Sequence, residues 1–105
     1  MNSRDYTNFK TPLSHPGAHL REDFLPDFGM TASDLGKAIR ISNANDIHDL
    51  LSESASITAS TALRLGRLFG TSAEFWMNLQ MQHDLSREAI RLRDELEQIA
   101  PIPKT

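Results

Sequence analysis

The chain has no cysteine and only one tryptophan and one tyrosine in 105 residues. Missing thiols exclude a disulfide framework, a cysteine nucleophile and a thiolate zinc site. No apolar run approaches the ~20 residues needed to cross a bilayer. The opening MNSRDYTNFKTPLSHPG lacks the apolar centre of a signal peptide, so a cytoplasmic location is expected. There is no internal repeat, low-complexity tract, phosphate loop or dinucleotide fingerprint. The Asp and Glu residues are scattered without the facing geometry that paired acid–base work requires, so an enzyme is not expected. Positive charge is scarce as well. The net charge is −3, and no Lys or Arg occurs from Ile41 to Leu63. Because affinity for nucleic-acid phosphates comes mainly from Lys and Arg, any such binding needs a local basic surface.

What remains is an ordinary globular composition, 39% hydrophobic and 24% charged, and a series of apolar positions at helical spacing. Residues 1–13 mix polar groups with Pro12 and read as a loose arm that Tyr6 and Phe9 can pin. Pro16 suits the first turn of a helix whose inner side is Leu20, Phe24 and Leu25, ended by Pro26 to Gly29. Thr31 and Asp34 mark the next start, and Leu35, Ala38 and Ile39 form the inner set of a short second helix. Gly36 weakens that helix, which suggests a close crossing by another backbone. After the break Arg40-Ile41-Ser42, a third helix turns Ile47, Leu50 and Leu51 inward and Asn45, His48, Asp49 and Ser52 outward.

Thr58 caps a fourth helix with Ala62, Leu65, Leu68 and Phe69 inside, and Gly70 ends it. Thr71 and Glu74 then form a T-x-x-E capping box ahead of Phe75, Trp76 and Leu79, which read as core, not as a ligand-binding pair. A last helix from Ser86 to about Ile99 carries Ala89, Leu92, Leu96 and Ile99 on one side. Arg91–Glu95 and Arg93–Glu97 are its i, i+4 pairs, and Pro101 and Pro103 stop it. Its apolar side packs on the domain or meets a second subunit. His15 and His19 lack a third ligand at metal spacing. His83-Asp84 lacks a serine nucleophile and an oxyanion turn, so it reads as a helix cap. Neither metal nor cofactor is expected.

The HPG at His15–Gly17 and above all TALRLGRLFGTSAEFWMNLQ at Thr61–Gln80 closely resemble the helix-turn-helix domain of HigA-type antitoxins. These are virulence-associated protein I-like members of the XRE (Cro/C1-type) family. The likeness runs from His15 to Gln80 or Asp84. It implies an all-α, lambda-repressor-like five-helix domain over residues 14–85, followed by an additional C-terminal helix and tail over 86–105. It also implies a homodimer that represses its own operon and neutralises a HigB-like messenger-RNA endonuclease toxin, with no membrane role. Two alternatives stay open: a helix-turn-helix fold with weakened DNA binding that serves as a protein-interaction module, and a solitary transcriptional regulator.

In this family the start of the third helix enters the major groove. Here Asn43, Ala44, Asn45 and His48 are the base-edge candidates, and Thr31, Lys37, Arg40 and Ser42 the phosphate candidates. The family pattern has an Arg before the inward aliphatic at Ile47 and an Asn-Gly-Lys/Gln-Arg-like turn after the helix. This chain has Asp46 and Ser52-Glu53-Ser54-Ala55 instead, and the segment between Ile41 and Ile57 is one residue longer. With Asp46, Asp49 and Glu53 in the region that meets phosphates, reduced or altered DNA affinity is expected.

Overall fold

A computed structural model describes Tyr6 and residues 8–103, all helices and connecting turns. Helix α1 is one rod made of Pro16–His19, a wider π turn Leu20–Phe24, and Leu25–Phe28. His15 starts it, its Nδ1 accepting from the Gly17 amide at 2.8 Å. The helix ends within Pro26–Gly29 as its sequence suggests, at the glycine and not at the proline. A proline crowds the carbonyl four residues back, and the preceding turn is opened, with Leu25 N–H reaching Leu20 O. The helix therefore continues to Phe28 and stops at Gly29, which has φ 63°.

Helix α2 (Ala32–Ala38) begins with a complete capping box between Thr31 and Asp34. Asn43 caps α3 (Ala44–Leu51). These two helices cross at Gly36, where a β-carbon would lie 3.1 Å from Ile41 O and 3.2 Å from Ile47 Cγ1. The close approach read from that glycine is present. Helix α4 (Ala59–Phe69) starts at Thr58 and ends at Gly70. Leu20, Leu35, Ile39, Ile47, Leu50, Leu65 and Trp76 anchor one buried core. Ala38, Leu68 and Phe75 were expected inside but lie at its exposed margin. In α2 the crossing of α3 covers the Leu35–Gly36–Ile39 side and leaves Ala38 outside.

Helix α5 (Ala73–Arg91) corrects two further expectations. Its cap is Ser72, whose hydroxyl accepts from the Phe75 amide at 3.0 Å. Thr71 instead takes the indole N–H of the fully buried Trp76 at 2.8 Å, because a buried indole needs an acceptor. The helix also passes unbroken through residues 84–86, so neither a His83-Asp84 cap nor a start at Ser86 exists. The separate C-terminal helix is the short α6 (Arg93–Glu97), beyond a break at Leu92.

The N-terminal arm docks on α5 at Ser86. Leu13 N–H donates to Ser86 Oγ at 2.8 Å, and His83 Nδ1 bonds Leu13 O at 2.7 Å. Arg93 reaches Phe9 O at 2.7 Å instead of Glu97. Arg91 pairs with Glu88 at 2.7 Å instead of Glu95. Residues 1–5 and 7 of the expected loose arm lie outside the described residues. The long α5 draws the molecule out to 54 × 24 × 23 Å. No helix among the described residues is long and apolar enough to cross a membrane.

Candidate nucleic-acid interface

Helices α2 and α3, joined through the turn at Arg40, enclose an open cleft of about 780 Å³. Lys37, Arg40 and Ser42 line it from α2 and the turn, and Ala44 and His48 from α3. Five of the eight candidates thus converge on one surface. Lys37 and Arg40 are exposed, and neither pairs with a carboxylate among the described residues. Ser33 also lines the cleft. Sequence reasoning passed it over because a serine in a first helical turn reads as ordinary solvated surface.

The other three candidates stand elsewhere. Thr31 is occupied as a cap: its N–H donates to Asp34 Oδ2 at 2.9 Å and its hydroxyl accepts from the Asp34 amide at 3.1 Å. That pairing holds the Asp34 carboxyl below its ordinary value, chiefly through the Thr31 N–H and then its hydroxyl. Asn43 Oδ1 accepts from the Asn45 amide at 2.9 Å. That bond uses one lone pair of the carbonyl oxygen, so Asn43 keeps its N–H₂ group and a second lone pair for a base edge. Asn45 is exposed on α3, outside the cleft, with its side-chain amide unengaged by other described residues.

The carboxylates do not form the uniform negative tip that the sequence suggests. Asp46 and Asp49 border a smaller cavity of about 280 Å³ on the opposite side of α3, against Ala55, Ser56, Thr58 and Thr61. Glu53 turns back to Arg21, with Nη2 and Oε2 3.2 Å apart. Charge is therefore split across the third helix. Cations and His48 occupy the α2 side, and the two remaining carboxylates occupy the α4 side.

Two arginines outside the unit hold its ends. Arg64 of α4 donates to Ile39 O at 2.7 Å and Arg40 O at 3.3 Å. Arg21 of α1 donates to Leu51 O at 2.6 Å. Cations at helix C-termini satisfy orphan carbonyls and oppose the negative end of the helix dipole. Both residues escaped sequence reasoning because their partners lie 24 to 30 positions away.

No family model matches the chain. Virulence-associated protein I of Dichelobacter nodosus is 45% identical over 74 residues, 70% of this chain and 68% of that protein. Pseudomonas aeruginosa antitoxin HigA, solved with the higBA promoter, superposes with a TM-score of 0.81 at 37% identity, covering 87% of this chain and 99% of that one. Antitoxin GraA in complex with its operator superposes with a TM-score of 0.82 at 28% identity, covering 99% of this chain and all of that one. The paired helices at the cleft, their capping residues and this degree of identity together place the chain in the HigA-type antitoxin family of helix-turn-helix proteins.

Proposed function

We propose that the chain is the antitoxin and autoregulator of a type II toxin–antitoxin pair. It acts in the cytoplasm as a homodimer that binds its own operator and masks a HigB-like toxin. The observation that carries this reading is the charge-split bihelical unit, embedded in a fold shared with HigA bound to its promoter. In the groove, Asn43, Ala44, Asn45 and His48 face base edges. Lys37, Arg40 and Ser42 meet phosphates, and Thr31 joins them at the start of α2 by giving up its hydroxyl bond to the Asp34 carboxylate. Asp46 and Asp49 border the flank away from these cations, so binding survives with few charge contacts. The net charge of −3 attracts a basic RNA-cleaving toxin and speeds encounter.

Two cationic contacts per protomer, doubled in a dimer, give a salt slope near −4. Affinity for DNA upstream of the gene then falls about 10²-fold between ~50 and ~200 mM salt. Fluorescence anisotropy measures this. Co-expression with the adjacent open reading frame tests the other half, through growth rescue and co-purification. Toxin capture without DNA binding at low salt assigns the interaction-module reading. DNA binding with no toxin gene alongside assigns a solitary regulator.

A further inference from the structure

Four described residues have positive φ: Gly29 at 63°, Arg40 at 61°, Glu53 at 68° and Gly70 at 72°. Each follows the end of a helix. Glycine adopts this conformation freely, whereas a β-carbon there crowds the following carbonyl. The chain places glycine after α1 and α4, which flank the bihelical unit, and charged residues after α2 and α3, which form it. Strain kept where glycine would relieve it points to a task for the side chain.

For Glu53 the task is visible in its ion pair with Arg21. Arg40 has no comparable partner among the described residues, and its exposed side chain borders the cleft beside Lys37 and His48. Its backbone, by contrast, is gripped from outside. Arg64 Nη1 reaches the carbonyls on both sides of the strained α-carbon, Ile39 O at 2.7 Å and Arg40 O at 3.3 Å. Arg64 Nε is held in turn by Ser60 Oγ at 3.2 Å, and Ile41 N–H closes the turn on Gly36 O at 2.9 Å.

We propose that Arg64 is a positioning residue for DNA binding, fixing the left-handed turn so that Arg40 delivers its guanidinium to a backbone phosphate beside the third helix. This rests on the operator reading above and adds a division of labour between two arginines. Arg64 directs its donors into the protein, while Arg40 keeps its planar fork free for phosphate oxygens. A glycine at position 40 would suit the backbone better and bind DNA worse.

The test is anisotropy with a duplex from directly upstream of the gene, at ~50, 100 and 200 mM salt, with a thermal melt of every variant. Arg40→Gly is expected to keep or raise Tm while losing about 10-fold in affinity and about one unit of salt slope per half-site. Arg64→Gln is expected to lose the same unit of slope, and the double variant no more than either single one. Unchanged affinity and slope in Arg40→Gly overturns the proposal. So do slope losses that add in the double variant, because Arg64 then touches a phosphate itself. A lower Tm with full slope in Arg64→Gln reduces it to a structural residue and overturns its positioning role. No binding by the unaltered chain at ~50 mM salt removes the operator reading itself, a result distinct from the other three.

Discussion

The helix ends after α1 and α4 and those after α2 and α3 share one backbone geometry with different residues. Gly29 and Gly70 meet open space where a β-carbon would stand, so these ends need nothing from the rest of the fold. Arg40 and Glu53 carry strain, and an arginine from another helix bonds each helix end: Arg64 the carbonyls on both sides of the Arg40 α-carbon, Arg21 the Leu51 carbonyl two residues before Glu53. Scaffold ends are therefore self-sufficient, while the ends of the bihelical unit depend on α1 and α4. The unit is held in place by its neighbours as much as by its own caps.

The largest effect should come from separating α1 from the unit. A β-carbon at Gly17 would stand 2.1 Å from Leu50 O and 3.2 Å from Leu50 C. Backbone cannot yield as a side chain does. Gly17→Ala is expected to lose about 3 kcal/mol or more, read from the denaturation midpoint. Gly36→Ala meets the movable Ile47 Cγ1 at 3.2 Å besides Ile41 O and should cost nearer 1 kcal/mol. Equal losses would mean that α1 does not brace α3, and the contrast between dependent and independent ends would fail.

A second measure of that bracing is pH. His15 is buried at the start of α1, 5.0 Å ring to ring from His83. Burial first, and the neighbouring imidazole second, hold its pKa below 6.5, against weaker opposition from Glu53, the Ala55 backbone and Asp84. The unfolded chain therefore binds this proton more readily. Stability from His15 is full above 6.5 and declines as pH drops from 6.5 to the lower folded value. Protonation also removes the Nδ1 acceptor that caps α1. His15→Asn keeps a capping oxygen without a titration in this range, so its melts at pH 7.5 and 5.5 should differ less than those of the unaltered chain. An equal pH dependence would place the titration elsewhere.

Much of this frame was legible in local sequence. Thr31 with Asp34, Thr58, Gly29, Gly70 and the crossing at Gly36 each act within a few positions, so spacing and side-chain chemistry identify them. What was hidden depends on distance. Ser72 and Thr71 are adjacent hydroxyls, and only the buried Trp76 indole decides which of them caps α5. Helix α5 receives Leu13, 73 positions earlier, at Ser86, a contact that no local spacing reveals. The candidate interface divides the same way. Lys37, Arg40 and His48 could be named from helical phase, but the split of charge across α3 needed the packed α2 and α4. Likewise, nothing local distinguishes an arginine that caps a remote carbonyl from one that faces solvent.

Arg21 offers a smaller test. Arg21→Gln removes the guanidinium from Leu51 O and the partner from Glu53 together. About 1 kcal/mol is expected, since one charged hydrogen bond and one partly exposed ion pair are lost. Arg91→Gln breaks a short but solvent-exposed ion pair remote from the unit and should leave the melting temperature essentially unchanged. If both substitutions shift Tm equally, the end of α3 has no special dependence on α1.

The finest discrimination lies in Glu53→Gly set beside Arg40→Gly. Both relieve a left-handed β-carbon, worth about 1–2 kcal/mol, and both add glycine's unfolded-state entropy, which takes back about 0.5–1 kcal/mol. Those contributions nearly cancel between the two variants. What differs is that Glu53 gives up its pair with Arg21, a half-exposed interaction worth 0 to about 1 kcal/mol, while Arg40 gives up no protein partner among the described residues. Arg40→Gly should therefore melt higher than Glu53→Gly, which should lie within about 0.5 kcal/mol of the unaltered chain. The gap between them estimates the Arg21–Glu53 pair, and in an Arg21→Gln background that gap should close. A gap that persists there would mean that the two turns store unequal strain, and that a shared geometry does not entail a shared cost.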